Sequence, residues 1–317
     1  MNPPLASIVV PCRNAEQWLG RTLESALAQT LPDREILLVD DGSTDRSLEV
    51  ARGFASRGVQ VVSQPNRGAS AARNHGLRLA RGRFIKFLDA DDLLAPEALA
   101  LQVAALEGRP EAIAFGPWAR FQEDATNAIF TPHPGWQDSP ALDWIKATWA
   151  DTEPMYQCGL FLLPRPLLDR AGGWDESLSL IDDFEFFTRV ALQAKELIFT
   201  PGARLYYRSG LTASLSGRKS RRAWESACRS SLLAVEHLLA REDSATTRRL
   251  GANILQKLVY AFYPEHPDLR RDLALRISRL GGADIPPGGG ASFQRLARVV
   301  GWRFAARLRY WLGRRPA

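Results

Sequence analysis

Cysteine is scarce in this chain: Cys12, Cys158 and Cys228 are its three, spread over 317 residues. An odd number at such spacing argues against a disulfide framework or a zinc knuckle and fits a reducing compartment. Long apolar runs are missing too; none approaches the roughly 18 residues that cross a bilayer. The opening Met1-Asn2-Pro3-Pro4 has neither the basic nor the apolar region of a secretory leader. The expectation is a protein made and kept in the cytoplasm. There is no internal repeat. A composition of 45% hydrophobic and 24% charged residues belongs to a folded chain. Its length allows one large domain with an extension, or two domains.

A formal net charge of +6 raises the question of nucleic acid. The distribution answers it. Signs are mixed in the first half, whereas arginine thickens after Gly217 and again near the C-terminus. Such local excess suits anionic lipid or an anionic substrate better than DNA. No nucleic-acid partner is expected.

The N-terminal half alternates strand and helix signals. Ser7-Ile8-Val9-Val10 is a β-branched strand ended by Pro11, and Asn14 is placed to cap a helix carrying Leu19, Leu23 and Leu27. Glu35 to Val39 is a second strand, with Asp45 placed to cap the helix after it. Val59 to Val62 makes a third strand, Gly68 to Leu79 a small-residue helix, and Phe84 to Leu88 a fourth strand. This alternation predicts an α/β fold, a mostly parallel sheet with helices on both faces. Further on, 112–115 and 159–163 read as strands and Asp182 to Ala194 as a helix, while 120–150 shows no clear periodicity. Three helices follow, at Ala223 to Leu239, Ala245 to Phe262 and Leu269 to Leu280, before the linker at 285–290.

The fourth strand ends in Asp89-Ala90-Asp91-Asp92. Three carboxylates there repel one another unless a cation sits among them. Acidic oxygens suit a hard divalent ion, and Mg²⁺ commonly takes one or two carboxylates plus substrate phosphates. Alone, the pattern equally fits a solvated acidic turn. But Asp40-Asp41 also closes a strand, and ligands of such sheets gather outside the carboxyl ends of the strands. The shared edge matters more than either motif.

Taken in order, the residues are familiar. Ser7-Ile8-Val9-Val10-Pro11-Cys12-Arg13-Asn14, then Val39-Asp40-Asp41-Gly42-Ser43-Thr44-Asp45, resemble the first two signatures of family 2 glycosyltransferases. Asn66 to Gly76, leading into Asp89-Ala90-Asp91-Asp92, resembles the third and fourth. Gly172-Gly173-Trp174-Asp175-Glu176 with Asp182-Asp183 is similar to the acceptor-side segment. The resemblance covers roughly residues 5 to 215, and several signatures in order are far more specific than one. It implies a GT-A, Rossmann-like fold and sugar transfer with inversion from a nucleotide-diphosphate donor; the helices read after it make a C-terminal helical extension.

The resemblance also implies roles. The backbone from Pro11 to Arg13 borders the nucleotide base. Asp41, which could equally close an Asx turn, accepts the N3 hydrogen of uracil. Arg73 offers its fork to ribose or phosphate oxygens, and Gly68 supplies close backbone approach or positive φ. Asp91 coordinates a divalent cation, Mn²⁺ or Mg²⁺, with Asp89 on the ribose or the ion's water shell and Asp92 beside them. A departing nucleoside diphosphate needs such charge stabilisation. Asp183 is the base that takes the acceptor proton, with Asp182 and Trp174 on the acceptor side. A helix N-cap would explain one of the two acids, and core packing would explain Trp174. Glu185 and Arg189 read as a surface i, i+4 pair. Asn66 and His75 receive no role.

One departure stands out. Many relatives place a histidine after a Tyr-Arg pair; here Tyr206-Tyr207-Arg208-Ser209-Gly210 has none. Either the ion relies on Asp91, phosphate and water, or Arg208 with Lys219 and Arg221 neutralises the diphosphate. The QxxRW signature of processive synthases is also missing near Arg189, which favours single-sugar transfer. Phe293 to Arg315 mixes arginines with aromatic and aliphatic residues, as an interfacial membrane helix does; the alternative is a helix packed on the body. The expected division is 1–216 catalytic, 217–284 helical, and 285–317 linker and basic tail. The expected partners are a nucleotide-sugar donor, a glycan or lipid-linked acceptor, and the inner face of a membrane. The rival reading is a non-catalytic nucleotide- or glycan-binding module. A nucleotidyltransferase is disfavoured, because no glycine-rich basic loop follows Val10.

Overall fold

The computed structural model describes residues 3–210 and 220–313. Strand and helix alternate at first: β1 (Ala6–Cys12), α1 (Leu19–Leu27), β2 (Arg34–Asp41), α2 (Ser47–Gly53), β3 (Val59–Gln64), α3 (Ala69–Leu79) and β4 (Phe84–Phe87). Runs such as Ile36-Leu37-Leu38-Val39 are buried throughout, as strands covered on both faces by helices must be. Next come β5 (Leu93–Leu94), α4 (Ala98–Ala105), β6 (Ala112–Phe115), β7 (Trp118–Phe121), β8 (Ser139–Pro140) and α5 (Ala141–Trp149). β9 (Phe161–Pro164), α6 (Arg165–Ala171), α7 (Asp182–Ala191), β10 (Glu196–Phe199) and β11 (Leu205–Arg208) complete this part.

Eight strands form the main sheet in the order β3-β2-β1-β4-β9-β6-β10-β8. β1 runs parallel to β2 and β4, β2 to β3, and β6 to β10, whereas β9 is antiparallel to both its neighbours. The sheet is thus mostly parallel, as the alternation predicted. A second sheet of three strands is ordered β5-β11-β7. Strand order reverses direction at β1, so the crevice for a ligand lies beyond the C-terminal ends of β1, β2 and β4.

Local details correct several expectations. β1 does not stop at Pro11; Pro11 pairs with Val39 and the strand runs to Cys12. Leu88 N donates to Val9 O, so Pro11, two residues on, turns its missing N–H toward the side from which β4 has already departed. Asn14 caps no helix. It sits at φ +51°, and its side chain accepts from Thr44 N at 2.8 Å, tying the first loop to the second. Asp45 does hold the start of α2, accepting from Ser47 N at 2.9 Å. The stretch without periodicity contains α5, whose Trp144, Ile145 and Trp149 are buried. At 159–163 the strand begins only at Phe161, after a 3₁₀ turn from Cys158 to Leu160.

Three long helices follow: α8 (Arg221–Arg241), α9 (Ala245–Phe262) and α10 (Pro267–Arg279). Ser220 and Ser244 cap the first two through Ala223 N and Thr247 N. These helices share one hydrophobic core with the sheet, Leu238 and Leu255 belonging to the same cluster as Leu37 and Phe187. The boundary expected at 216 to 217, and Lys219, lie outside the described residues. The tail is two helices, α11 (Ala291–Val300) and α12 (Trp302–Gly313), broken at Gly301 with φ +79°. Phe293, Ala305 and Ala306 bury themselves against Tyr263.

Candidate active site

β2 delivers Asp41 to the crevice with its carboxylate already engaged. Oδ1 accepts from Gln64 Nε2 and Arg67 N, and Oδ2 from Gly68 N, each at 2.8 Å. Gly68 makes this possible: its φ of +98° turns the 66–68 loop back over β2 before α3 begins. His75 Nδ1 meets Gln64 Oε1 at 2.7 Å, so this histidine buttresses Asp41 through Gln64. Arg13 is exposed beside this edge and Pro11 is buried in it.

Arg73 organises the rest. It projects from α3, is 5% exposed, and forks between two chain segments. Nη2 donates to Asp89 Oδ1 at 2.8 Å and Nη1 to Asp182 Oδ2 at 2.9 Å. Its plane lies 4.4 Å from the Trp174 ring centroid. Burial works against the guanidinium charge, and Asp89 and Asp182 work for it. Cys158 is buried, and burial raises its thiol well above the ordinary range. Trp174 is buried, stacked on Phe186 at 3.8 Å and edge-on to Phe87 at 5.2 Å.

The acidic pair opens α7. Asp182 accepts from Ser70 Oγ at 2.7 Å as well as from Arg73. Asp183 accepts from Phe184 N at 2.8 Å inside the first turn, and neither acid is the N-cap, a position that Ile181 fills without a side-chain bond. Burial, then Asp182, pushes the Asp183 carboxyl up to about 7, with Asp89 adding to the rise. The preceding residue is strained: Ile181, a β-branched residue, stands at φ +51°, ψ 34°. Such a backbone costs about 1–3 kcal/mol and is tolerated where the surroundings over-determine it. Ser230 Oγ fixes it by donating to Ile181 O at 2.6 Å, so α8 sets how the acidic pair enters the site.

At the end of β4 the acids are short of positive charge. Asp91 is pushed up to about 6 by burial and then by Asp89. Asp92 is buried, with Oδ1 accepting from Arg208 N at 2.8 Å and Oδ2 without a partner. Among the described residues no three His, Cys, Asp or Glu side chains form a ready-made metal cage. One or two hard carboxylates at an open crevice suit Mg²⁺ or Mn²⁺ completed by phosphate and water. They do not suit a closed zinc site.

Other residues were read differently from sequence. Arg208 is not free for a phosphate: its guanidinium lies 4.0 Å from the Trp18 ring centroid and 4.3 Å from that of Phe121. Its Nε donates to Asp91 O at 3.0 Å, and Nη1 donates to Gln122 O. Arg221 is paired with Glu225 and Asp268, which removes it from the diphosphate as well. Glu185 is no surface residue, its side chain being 3% exposed; it accepts from Arg189 Nε at 2.6 Å and meets His237 Nε2 at 3.1 Å. Tyr207 was missed altogether. Its chain neighbour Arg208 binds Asp92 through the backbone N–H, and burial, then the field of Asp92, Asp89 and Asp183, pushes the Tyr207 phenol up to about 12.

Comparison with known proteins agrees with this layout. The solved structure of Staphylococcus aureus TarS 1–349 with UDP-GlcNAc superposes with a TM-score of 0.64 at 18% identity, covering 97% of this chain and 92% of that one. The likeness is one of fold, the GT-A arrangement. An uncharacterized glycosyltransferase, EpsJ of Bacillus subtilis (strain 168), is 47% identical over 94 residues, 29% of this chain and 27% of that protein. Chondroitin synthase of Escherichia coli is 42% identical over 100 residues, 31% of this chain and 15% of the synthase. The chain therefore spans well under half the length of these curated relatives. The family model for glycosyl transferase family 2 matches residues 7–172, more than half of the 317. The chain belongs to glycosyl transferase family 2.

Proposed function

We propose that the protein is an inverting glycosyltransferase that moves one sugar from a UDP-linked donor to a hydroxyl of a glycan or lipid-linked acceptor. The observation that carries this reading is the meeting of Asp89, at the end of β4, with the Asp182–Asp183 pair of α7 across one arginine. Donor-side and base-side acids thereby share a site. TarS has been solved with UDP and with UDP-GlcNAc, which supports the choice of donor.

In this reading Pro11, Arg13, Asp41 and Gly68 hold the nucleotide and Asp89 its ribose, while Arg73, its two arms taken by Asp89 and Asp182, positions those acids instead of touching the nucleotide itself. Asp91 would hold a divalent cation, which would supply charge stabilisation for a departing diphosphate. Asp183, raised toward neutrality, takes the acceptor hydroxyl proton. The hydroxyl oxygen then bonds to the anomeric carbon as the bond to the β-phosphate oxygen breaks, and UDP leaves with that electron pair. A base opposite the leaving group gives inversion. Asp182 and Trp174 fix the direction of that base, through Ser70 and Arg73.

The tail is read as a contact with the anionic inner face of a membrane. Phe304, Leu308, Trp311 and Leu312 are 57%, 39%, 75% and 55% exposed and recur at helical spacing, with the buried Ala306 on the far side of the helix. No acidic residue follows Asp284, whereas arginines flank the stripe.

A panel of nucleotide sugars with Mn²⁺ tests the enzyme. Asp91→Ala and Asp183→Asn should each abolish transfer, and only the first should weaken metal-dependent UDP binding. Full activity in either variant refutes its role. Binding without turnover of any donor would favour the non-catalytic module instead.

A further inference from the structure

The small sheet has a face for which the donor chemistry above has no use. β7 and β11 pair in register, Trp118 with Leu205 and Arg120 with Tyr207, so these four side chains share one side. Leu205 is buried at the base, where a Cβ added to Gly159 would lie 2.6 Å from its Cδ1. Trp118 and Tyr207 are half-buried, their rings perpendicular with centroids 6.3 Å apart. Arg120 is exposed and lies over both, its guanidinium 5.6 Å from the Trp118 centroid and 5.3 Å from that of Tyr207.

Arg120 has no hydrogen bond or ion pair to an acid among the described residues. Glu153, an acid that feels the Arg120 charge, is bonded to Lys257 at 2.7 Å. A guanidinium held against two rings keeps its fork of donors in place for a carboxylate or phosphate. Half-exposed aromatic edges beside it suit the apolar C–H face of a sugar or polyol. Asp89, Asp91, Asp92 and Asp183 would otherwise repel any anion entering this side, so a cation at the rim decides whether one can approach.

We propose that Trp118, Arg120 and Tyr207 form the acceptor subsite, and that its ligand is a sugar or polyol carrying a carboxylate or phosphate. The word acceptor rests on the transferase reading; the anion site does not.

Saturation-transfer NMR on the full chain, with UDP present, tests it using methyl glucuronide, glucose 6-phosphate and neutral methyl glucoside. The wild type should bind at least one of the two anions more tightly than the glucoside, and which one separates a uronate ligand from a phosphate. Arg120→Gln should weaken that anion about tenfold, and Trp118→Ala should weaken anion and glucoside alike. An unchanged melting temperature separates loss of the site from loss of the fold. Equal binding of glucoside and anions, equal anion binding by Arg120→Gln, or no signal from any probe overturns the proposal. Failure of UDP itself to bind counts against the transferase reading instead.

Discussion

Arg73 and Asp182 stand 109 residues apart in sequence and meet at 2.9 Å, on a guanidinium whose other arm holds Asp89. Removing that arginine leaves two acids facing each other in a partly buried site. Arg73→Met should therefore destabilise the fold by about 3–5 kcal/mol, the usual cost of stripping one partner from a buried ion pair. Arg73→Lys should recover only part of this, because an ammonium cannot fork between two carboxylates or lie flat on Trp174. Urea unfolding midpoints measure both. A midpoint for Arg73→Met equal to wild type would remove Arg73 as organiser.

Much of this was legible beforehand, for reasons that can be traced. Strand–helix alternation is written in local periodicity, and the acidic turns stand at strand ends because the sheet is parallel. α9 begins and ends where its pattern says, since Ser244 and the residues after Phe262 punctuate it. What was not legible depends on distant partners. Arg73 looks like any helical arginine until Asp182 and Trp174 are brought to it. Glu185 looks like half of a surface pair until α8 brings His237 over it. Arg208 reads in sequence as a candidate for the diphosphate, and only folding shows its guanidinium laid against Trp18 and Phe121. Asn14 has a capping side chain, but Thr44 N outbid the helix start.

Asp183 predicts a pH profile. A carboxyl raised to about 7, by burial first and Asp182 next, is ionised, and so able to accept a proton, only above that pH. Transfer should rise with unit slope up to about pH 7 and then level, measured as kcat/KM. A plateau reaching down to pH 5 would show that another group takes the proton.

Glu185 predicts stability of the opposite pH sense. Burial opposes its charge, but bonds from His237 and Arg189 hold its folded pKa below the ordinary glutamate value. Its contribution is therefore present above the unfolded pKa and is lost as pH falls below it. Glu185→Ala should cost about 3–5 kcal/mol near neutrality, less in acid. Arg189 also donates to Gly173 O at 2.9 Å, so the loop before Trp174 should exchange its amides faster in that variant.

For the tail, apolar contact and charge make separable predictions. Phe304→Ser with Trp311→Ser should sharply reduce pelleting with anionic vesicles, each ring contributing about 1.5–3 kcal/mol of burial. Raised salt should weaken what remains, through screening of the arginines. Binding to neutral vesicles should be weak throughout. Equal pelleting with and without residues 291–317 would dismiss the membrane reading.

Lys86 completes the electrostatic argument from inside the sheet. It is 1% exposed on β4, with Nζ donating to Gln102 Oε1 at 2.8 Å, and burial lowers its pKa from 10.5 to about 7. Between that value and the unfolded one, the unfolded chain holds a proton that the folded chain lacks, so stability rises with pH across this window. Asp183 acts in reverse: between the ordinary Asp range and about 7 the folded state holds the extra proton, and stability falls as pH rises. The two together put a minimum near neutrality into the wild-type curve relative to its variants. Lys86→Met should flatten the rise above pH 7, since a buried amine gives way to a thioether of similar length. Asp183→Asn should flatten the fall below it and raise the melting temperature at pH 8, while abolishing transfer. Melting curves from pH 5 to 9 on the three proteins measure this; parallel curves for wild type and Lys86→Met would mean that the lysine keeps its proton in the folded state.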